Sequence, residues 1–152
     1  MSEEAYREMS EKIDLEWEIE FLDLAYEIAR ESHEGVVRDS GEPYFTHPLA
    51  VAKITLEDFP NPTTFKAIVA LLHDVIEDAE YPEKKRTEIL SRFAAKAEEK
   101  RESFVKESGI EHAEKKIAFM KSFAESIVEA VELLSKKRKE SYLHGWERPF
   151  LL

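Results

Sequence analysis

Residues 71–80 read LLHDVIEDAE. His73 and Asp74 are adjacent, and Glu77 and Asp78 follow one turn later. On a helix, His73 and Glu77 are i,i+4 neighbours, and so are Asp74 and Asp78. Four ionisable groups then crowd one end of a helix whose other face is apolar, a costly arrangement for a purely structural element. Imidazole nitrogen and carboxylate oxygen suit zinc, manganese or iron. An adjacent His-Asp pair reaches a single ion because the side chains converge, although successive Cα vectors diverge by about 100°. The competing reading is an amphipathic helix end that happens to be acidic. For an isolated His-Asp pair that blander reading is the better one.

The pair is not isolated. Residues 32–52 read SHEGVVRDSGEPYFTHPLAVA. They hold a loop, Arg38-Asp39-Ser40-Gly41-Glu42-Pro43, between two expected helices, and Gly41 and Pro43 mark its turns. Arg38 is the kind of side chain that grips phosphate or stacks on a base. His47 opens the second helix and is placed to be a third ligand from a different element. Taken singly, a histidine there is more often a cap or a core residue.

The elements that must position these groups are helical. Phe21, Leu22, Ala25, Ile28 and Ala29 make an apolar stripe in a helix from about Asp14 to Ser32. Leu49, Ala52 and Leu56 do the same after His47-Pro48, where proline suits a first helical turn. Phe65, Ile68, Val69, Leu72, Val75 and Ile76 form the most apolar helix, with Thr63 or Thr64 as its cap. Ile89, Leu90, Phe93, Ala97 and Phe104 give a thinner stripe in a long charged helix that Gly109 can end. Ile117, Met120, Ala124, Ile127, Val131 and Leu134 give a last strong stripe. The charge-rich stretch KAEEKRESFVKE keeps helical spacing and reads as a solvated helix face. No segment alternates with period 2, so the expected fold class is all-α.

The chain has 152 residues, a 43% apolar and 36% charged composition, and a net charge of −11. Its length suits one domain, expected over residues 1–152: a motif-bearing core at about 14–80, a divergent helical remainder at 83–142 and an apolar tail at 143–152. The anionic surface repels phosphate backbones, so no nucleic-acid partner is expected. An anionic substrate then needs a local cation or a metal. With no cysteine, iron–sulfur clusters, thiolate zinc sites and cysteine nucleophiles are excluded. No apolar run approaches the ~18 residues of a membrane span, and the acidic start MSEEAYREMSEKID is unlike a signal peptide. The expectation is a cytoplasmic protein with no membrane partner.

Taken together, these residues resemble the HD-type hydrolase domain of RelA/SpoT-homologue alarmone hydrolases. The resemblance rests on SGEPYxxHPLAVA followed by LLHDVxED and covers about residues 24–80. It implies an HD-domain-like helical bundle that removes pyrophosphate from the 3′ position of guanosine tetra- or pentaphosphate. It also implies a divalent metal, usually manganese, with iron or zinc as alternatives. His47, His73 and Asp74 are implied as metal ligands, and Glu77 and Asp78 as the acidic pair that positions or activates the attacking water. Arg38, Ser40 and Gly41 fall in the nucleotide-binding loop, and Tyr44 and His33 support the site. Val36 stands where the family commonly has glutamine, and Asp39 where it commonly has a basic residue. The family's fourth ligand is an aspartate on a late helix in a Lys-Leu-x-Asp-Arg-like motif, whereas the last aspartate here is Asp78. Glu129 stands at a position commonly aspartate in the segment before that helix. The chain is then truncated, or its ligand set is remodelled, or its metal site is lost.

If the site works, the cation lowers the pKa of bound water, an acidic group orients that water, and Arg38, with Lys53, holds the substrate. Three protein ligands suffice for a catalytic metal, which keeps positions open; Glu125, Glu129, Glu132, Glu140 or His144 are candidates for a fourth. The alternatives are a degenerate HD-domain protein that binds nucleotide or a protein partner without turnover, and a plain helical interaction protein. The tail HGWERPFLL, with Trp146, Phe150, Leu151 and Leu152, reads as docking on its own core or as a homodimer contact. His112 and His144 read as surface residues.

Overall fold

The computed structural model describes residue 4, residues 16–34 and residues 64–143, with side chains described to residue 134. Five helices lie in these segments: α1 (Glu16–Ser32), α2 (Thr64–Glu77), α3 (Pro82–Glu98), α4 (Arg101–Ser108) and α5 (Ile110–Leu143). The all-α expectation is met. The helix expected from His47 lies outside the described residues, as do Thr63 and the apolar tail.

The apolar stripes of the sequence become one core. Phe21, Leu22 and Ile28 of α1, Ile68, Leu71 and Leu72 of α2, Ile89 and Phe93 of α3, and Ile117, Met120 and Ile127 of α5 are its largest fully buried side chains. Helix α2 contributes most because nearly all of its residues from Ala67 onward are apolar, so it is buried on several faces. It packs against α1, α3 and α5. Alanines at 25, 29 and 67 are fully buried and let helix axes approach closely. Phe21 meets Phe93 edge-to-face at 4.8 Å, and Trp17 meets Phe21 and Phe123 at 5.5 and 5.2 Å. Such quadrupole-matched pairs add directionality to the area they bury. None of the described helices is long and apolar enough to cross a membrane.

The long charged helix expected through Ile89, Phe93 and Phe104 to Gly109 is in fact two helices, α3 and α4. Glu99 and Lys100 stay in the right-handed helical region, and the Lys100 amide bonds the Ala97 carbonyl at 3.1 Å, a tightened last turn. The side chains explain why the helix breaks here. Lys100 reaches Glu20 on α1 at 2.8 Å, while Arg101 pairs with both Glu98 and Glu114. The bend lets Phe104 turn into the core beside α5. No glycine or proline marks residues 99–100, so the break has no local sequence signal. The stretch read as a solvated face is thus an inter-helix charge network with one buried aromatic.

That network has a pH signature. Hydrogen bonds from Arg101 and Lys121 hold the Glu98 carboxyl down to about 2, from its usual 4.5. The unfolded chain binds this proton near pH 4.5 and the folded chain only near 2, so unfolding takes up protons in between. The stabilisation is complete above the unfolded value and is lost as pH falls through that window. Because Glu98 is exposed, salt screens the effect. Thermal melts at low salt should therefore show a Glu98→Gln deficit that closes as pH falls from about 5 to about 2.

Gly109 ends α4 as expected. Its φ of 88° and ψ of 168° lie in a region that residues with a Cβ avoid, yet a Cβ there meets nothing within 4 Å. The restriction is one of backbone conformation, not of space. Gly109→Ala is expected to cost about 1–3 kcal/mol, read from urea unfolding. An outcome near zero would show that the turn relaxes without penalty.

Candidate functional site

The C-terminal half of α2 carries the motif. Its helical period turns His73 and Asp74 into the protein, where they are 4% and 5% exposed. Glu77, the last residue of the helix, is half-buried, and Asp78 is exposed in the turn that follows. The Asp78 amide donates to the Asp74 carbonyl at 2.9 Å, so the turn stays registered on the helix.

The His73–Asp74 geometry is informative. His73 Nδ1 lies 2.6 Å from the Ala70 carbonyl oxygen. A carbonyl only accepts, so Nδ1 carries the proton and Nε2 presents a lone pair in the neutral ring. Nε2 faces Asp74 Oδ2 at 3.1 Å. With the ring neutral, two lone pairs thus face each other in a buried setting. A cation between or on them resolves the repulsion, either a proton on Nε2 or a metal ion held by both. The spacing suits both: 3.1 Å is a hydrogen-bond length with a proton on Nε2, and two metal bonds of about 2.1 Å at a right angle place their ligand atoms about 3.0 Å apart. The Ala70 carbonyl plays the orienting role that metal-bound histidines usually assign to a carbonyl or carboxylate.

Beside this pair is a cleft of about 300 Å³. The end of α1 gives it Ser32 and His33, α2 and its turn give Asp74, Val75, Asp78, Ala79 and Glu80, and α3 gives Lys85. Its volume is at the small end for ligand sites. Arg92 of α3 fixes the α1 side by gripping Glu31 with two hydrogen bonds, at 2.8 and 3.4 Å. That contact holds the Glu31 carboxyl below its ordinary range. His33 is buried and donates Nδ1–H to the Ala29 carbonyl at 3.0 Å. Burial pushes its pKa down, against the opposing pull of Asp74 and Asp78, so it faces the cleft as a neutral ring at pH 7.

His73, Asp74, Glu77 and Asp78, expected as one constellation, lie together at the C-terminal end of α2 and its turn; Asp74 and Asp78 line the cleft, whereas His73 and Glu77 do not. His47, the expected third ligand, and Arg38, Ser40, Gly41, Tyr44 and Lys53 lie outside the described residues. Among the described residues no group of three or more histidine and acidic side chains is placed to hold a metal ion. Glu125 and Glu129 are exposed on α5, and Glu132 pairs with Arg86. His112 is exposed, as expected. Lys85 went unrecognised in the sequence. Its one signal was the Lys84-Lys85-Arg86 run directly after the acidic motif, at a helix start where the dipole disfavours cations.

The HD domain family matches residues 25–99. A guanosine-3′,5′-bis(diphosphate) 3′-pyrophosphohydrolase of Vibrio cholerae is 44% identical over 77 residues, 51% of this chain and 11% of that protein. A bifunctional (p)ppGpp synthase/hydrolase RelA of Mycobacterium tuberculosis is 46% identical over 76 residues, 50% of this chain and 10% of its own length. A bifunctional (p)ppGpp synthase/hydrolase SpoT of Escherichia coli is 56% identical over 61 residues, 40% of this chain and 8% of that protein. The chain thus spans about a tenth of the length of the curated relatives it matches. No solved structure matches it.

Proposed function

Residues 25–99 of this chain are an HD domain related, over about half of the chain, to RelA/SpoT-type (p)ppGpp hydrolases, and from that premise we propose that it is a metal-dependent phosphohydrolase of a phosphorylated nucleotide. The observation that carries the reading is the buried convergence of His73 Nε2 and Asp74 Oδ2 at 3.1 Å, with Nδ1 committed to a carbonyl. His73 and Asp74 hold the ion together with His47, and manganese is the first candidate, with iron or zinc as alternatives. The ion supplies Lewis acidity toward water and toward phosphoryl oxygens. Asp78, on the cleft wall, accepts a hydrogen bond from the attacking water and takes its proton. Glu77 supports that end of the helix. The loop residues Arg38, Ser40, Gly41 and Tyr44 hold the nucleotide. The favoured substrate is guanosine tetra- or pentaphosphate: water attacks the phosphorus bound to the 3′ oxygen, the P–O3′ bond breaks, the ribose 3′ oxygen leaves as a hydroxyl and pyrophosphate carries off the water's oxygen.

The packing of α5 against α2 within one core supports treating the motif-bearing core and the helical remainder as one domain. A cytoplasmic setting and a homodimer through the apolar tail complete the proposal. Incubation of the manganese-loaded protein with guanosine tetraphosphate should release pyrophosphate and leave the 5′-diphosphate. Manganese binding without release, across a panel of nucleotide 3′- and 5′-phosphates, would overturn catalysis. It would support the second reading, a degenerate HD-domain protein that binds nucleotide or a protein partner without turnover. That reading has its own support: Asp39 stands in the loop where a basic residue is common among the enzymes it resembles.

A further inference from the structure

We infer that Lys85 is a substrate-binding residue of this site, the cation that takes up the substrate's pyrophosphate oxygens; the inference rests on the phosphohydrolase reading and deepens it. The wall of the cleft carries three carboxylates, Asp74, Asp78 and Glu80, beside the buried His33. A divalent ion offsets two of the carboxylates. A phosphate chain entering such a cleft still meets net negative charge unless a further cation lines it. Among the described residues, Lys85 is the one lysine or arginine that does.

Its placement is built rather than incidental. Lys85 is in the second turn of α3, and its amide donates to the Tyr81 carbonyl at 3.0 Å, which fixes the backbone at the cleft rim. Its side chain is 25% exposed, against 52% for its neighbour in the i,i+3 pair, Glu88, at 3.6 Å. Pairs of this kind are worth little in water, so Glu88 can hold the ammonium at the rim and yield it to a doubly charged phosphoryl group. A lysine supplies a compact point charge with three donors, which suits the changing orientation of a departing pyrophosphate. Lys84, one residue earlier, is exposed and does not line the cleft.

The test uses the full chain and its Lys85→Ala, Lys85→Arg and Lys84→Ala variants, with excess manganese and inorganic pyrophosphate as the probe. Manganese occupancy is read first and pyrophosphate retention second, both by equilibrium dialysis. Lys85→Ala should keep wild-type manganese occupancy and bind pyrophosphate about ten- to a hundredfold more weakly, the range of a hydrogen bond to a charged group. Lys85→Arg should recover most of the loss, and Lys84→Ala, which removes the same charge, should stay within about twofold of wild type. Wild-type retention by Lys85→Ala, or an equal loss in both alanine variants, overturns the role of Lys85 and leaves the metal site standing. A wild-type protein without manganese overturns the phosphohydrolase reading, and this inference with it.

Discussion

Replacing His73 with alanine should abolish metal binding while leaving the helical fold in place. His73 supplies one of the two described donor atoms of the site, and it is oriented by a bond to the Ala70 carbonyl of its own helix. Removing the ring deletes a ligand outright and leaves the Asp74 carboxylate buried beside an empty volume. Loss of one of three protein ligands exceeds the ten- to a hundredfold loss typical when only an orienting partner is removed, so the affinity should fall by more than about a hundredfold. Turnover at micromolar metal should then be undetectable. Asp74→Asn provides the companion. It keeps shape and burial but replaces an anionic ligand with a neutral one, and it relieves the cost of a buried carboxylate. Metal affinity should fall in both variants, while thermal stability without metal should fall in His73→Ala and hold or rise in Asp74→Asn. If both lose stability equally, the pair is a structural ion pair with His73 protonated.

Asp78→Asn should have the opposite signature, with metal retained and chemistry lost. Asp78 shares the cleft wall with Asp74 and sits one helical turn beyond it. General-base contributions are typically about 10²–10⁴-fold, so kcat should fall by that factor with manganese stoichiometry unchanged. Glu77 is half-buried at the helix end and is not part of the cleft wall. Glu77→Gln should therefore cost about tenfold or less. Rates of pyrophosphate release at saturating metal check both. If Glu77→Gln proves the more damaging, the proton acceptor is Glu77.

The pattern of what could be read from sequence has a physical explanation. The stripes through Phe21–Ala29, Ile68–Ile76 and Ile117–Val131 are local periodicities of single helices, and burial follows directly from them. His73 and Asp74 were legible because adjacent ligands need only one helix to bring them together. The helix break at Glu99–Lys100 was not legible. It arises from Lys100 and Arg101 reaching acidic partners on α1, α3 and α5, and from Phe104 turning into the core, none of which has a local marker. Lys85 was hidden for the same reason. In sequence it is one charge in a charged helix, and only the approach of α1, α2 and α3 makes it part of a cleft wall. His33 was legible as a residue near the site but not as a buried neutral ring, since the burial that lowers its pKa comes from packing and wins against the opposing pull of Asp74 and Asp78.

The central claim is that His73 and Asp74 hold a divalent ion, and manganese stoichiometry on the wild-type chain tests it most directly. Protein purified without chelator, then dialysed against micromolar manganese, should retain about one ion per chain, with the ordered six-coordinate nitrogen and oxygen environment expected of a histidine–carboxylate site. Retention no greater than that of His73→Ala under the same dialysis would contradict the claim and leave the pair as a buried hydrogen-bonded couple.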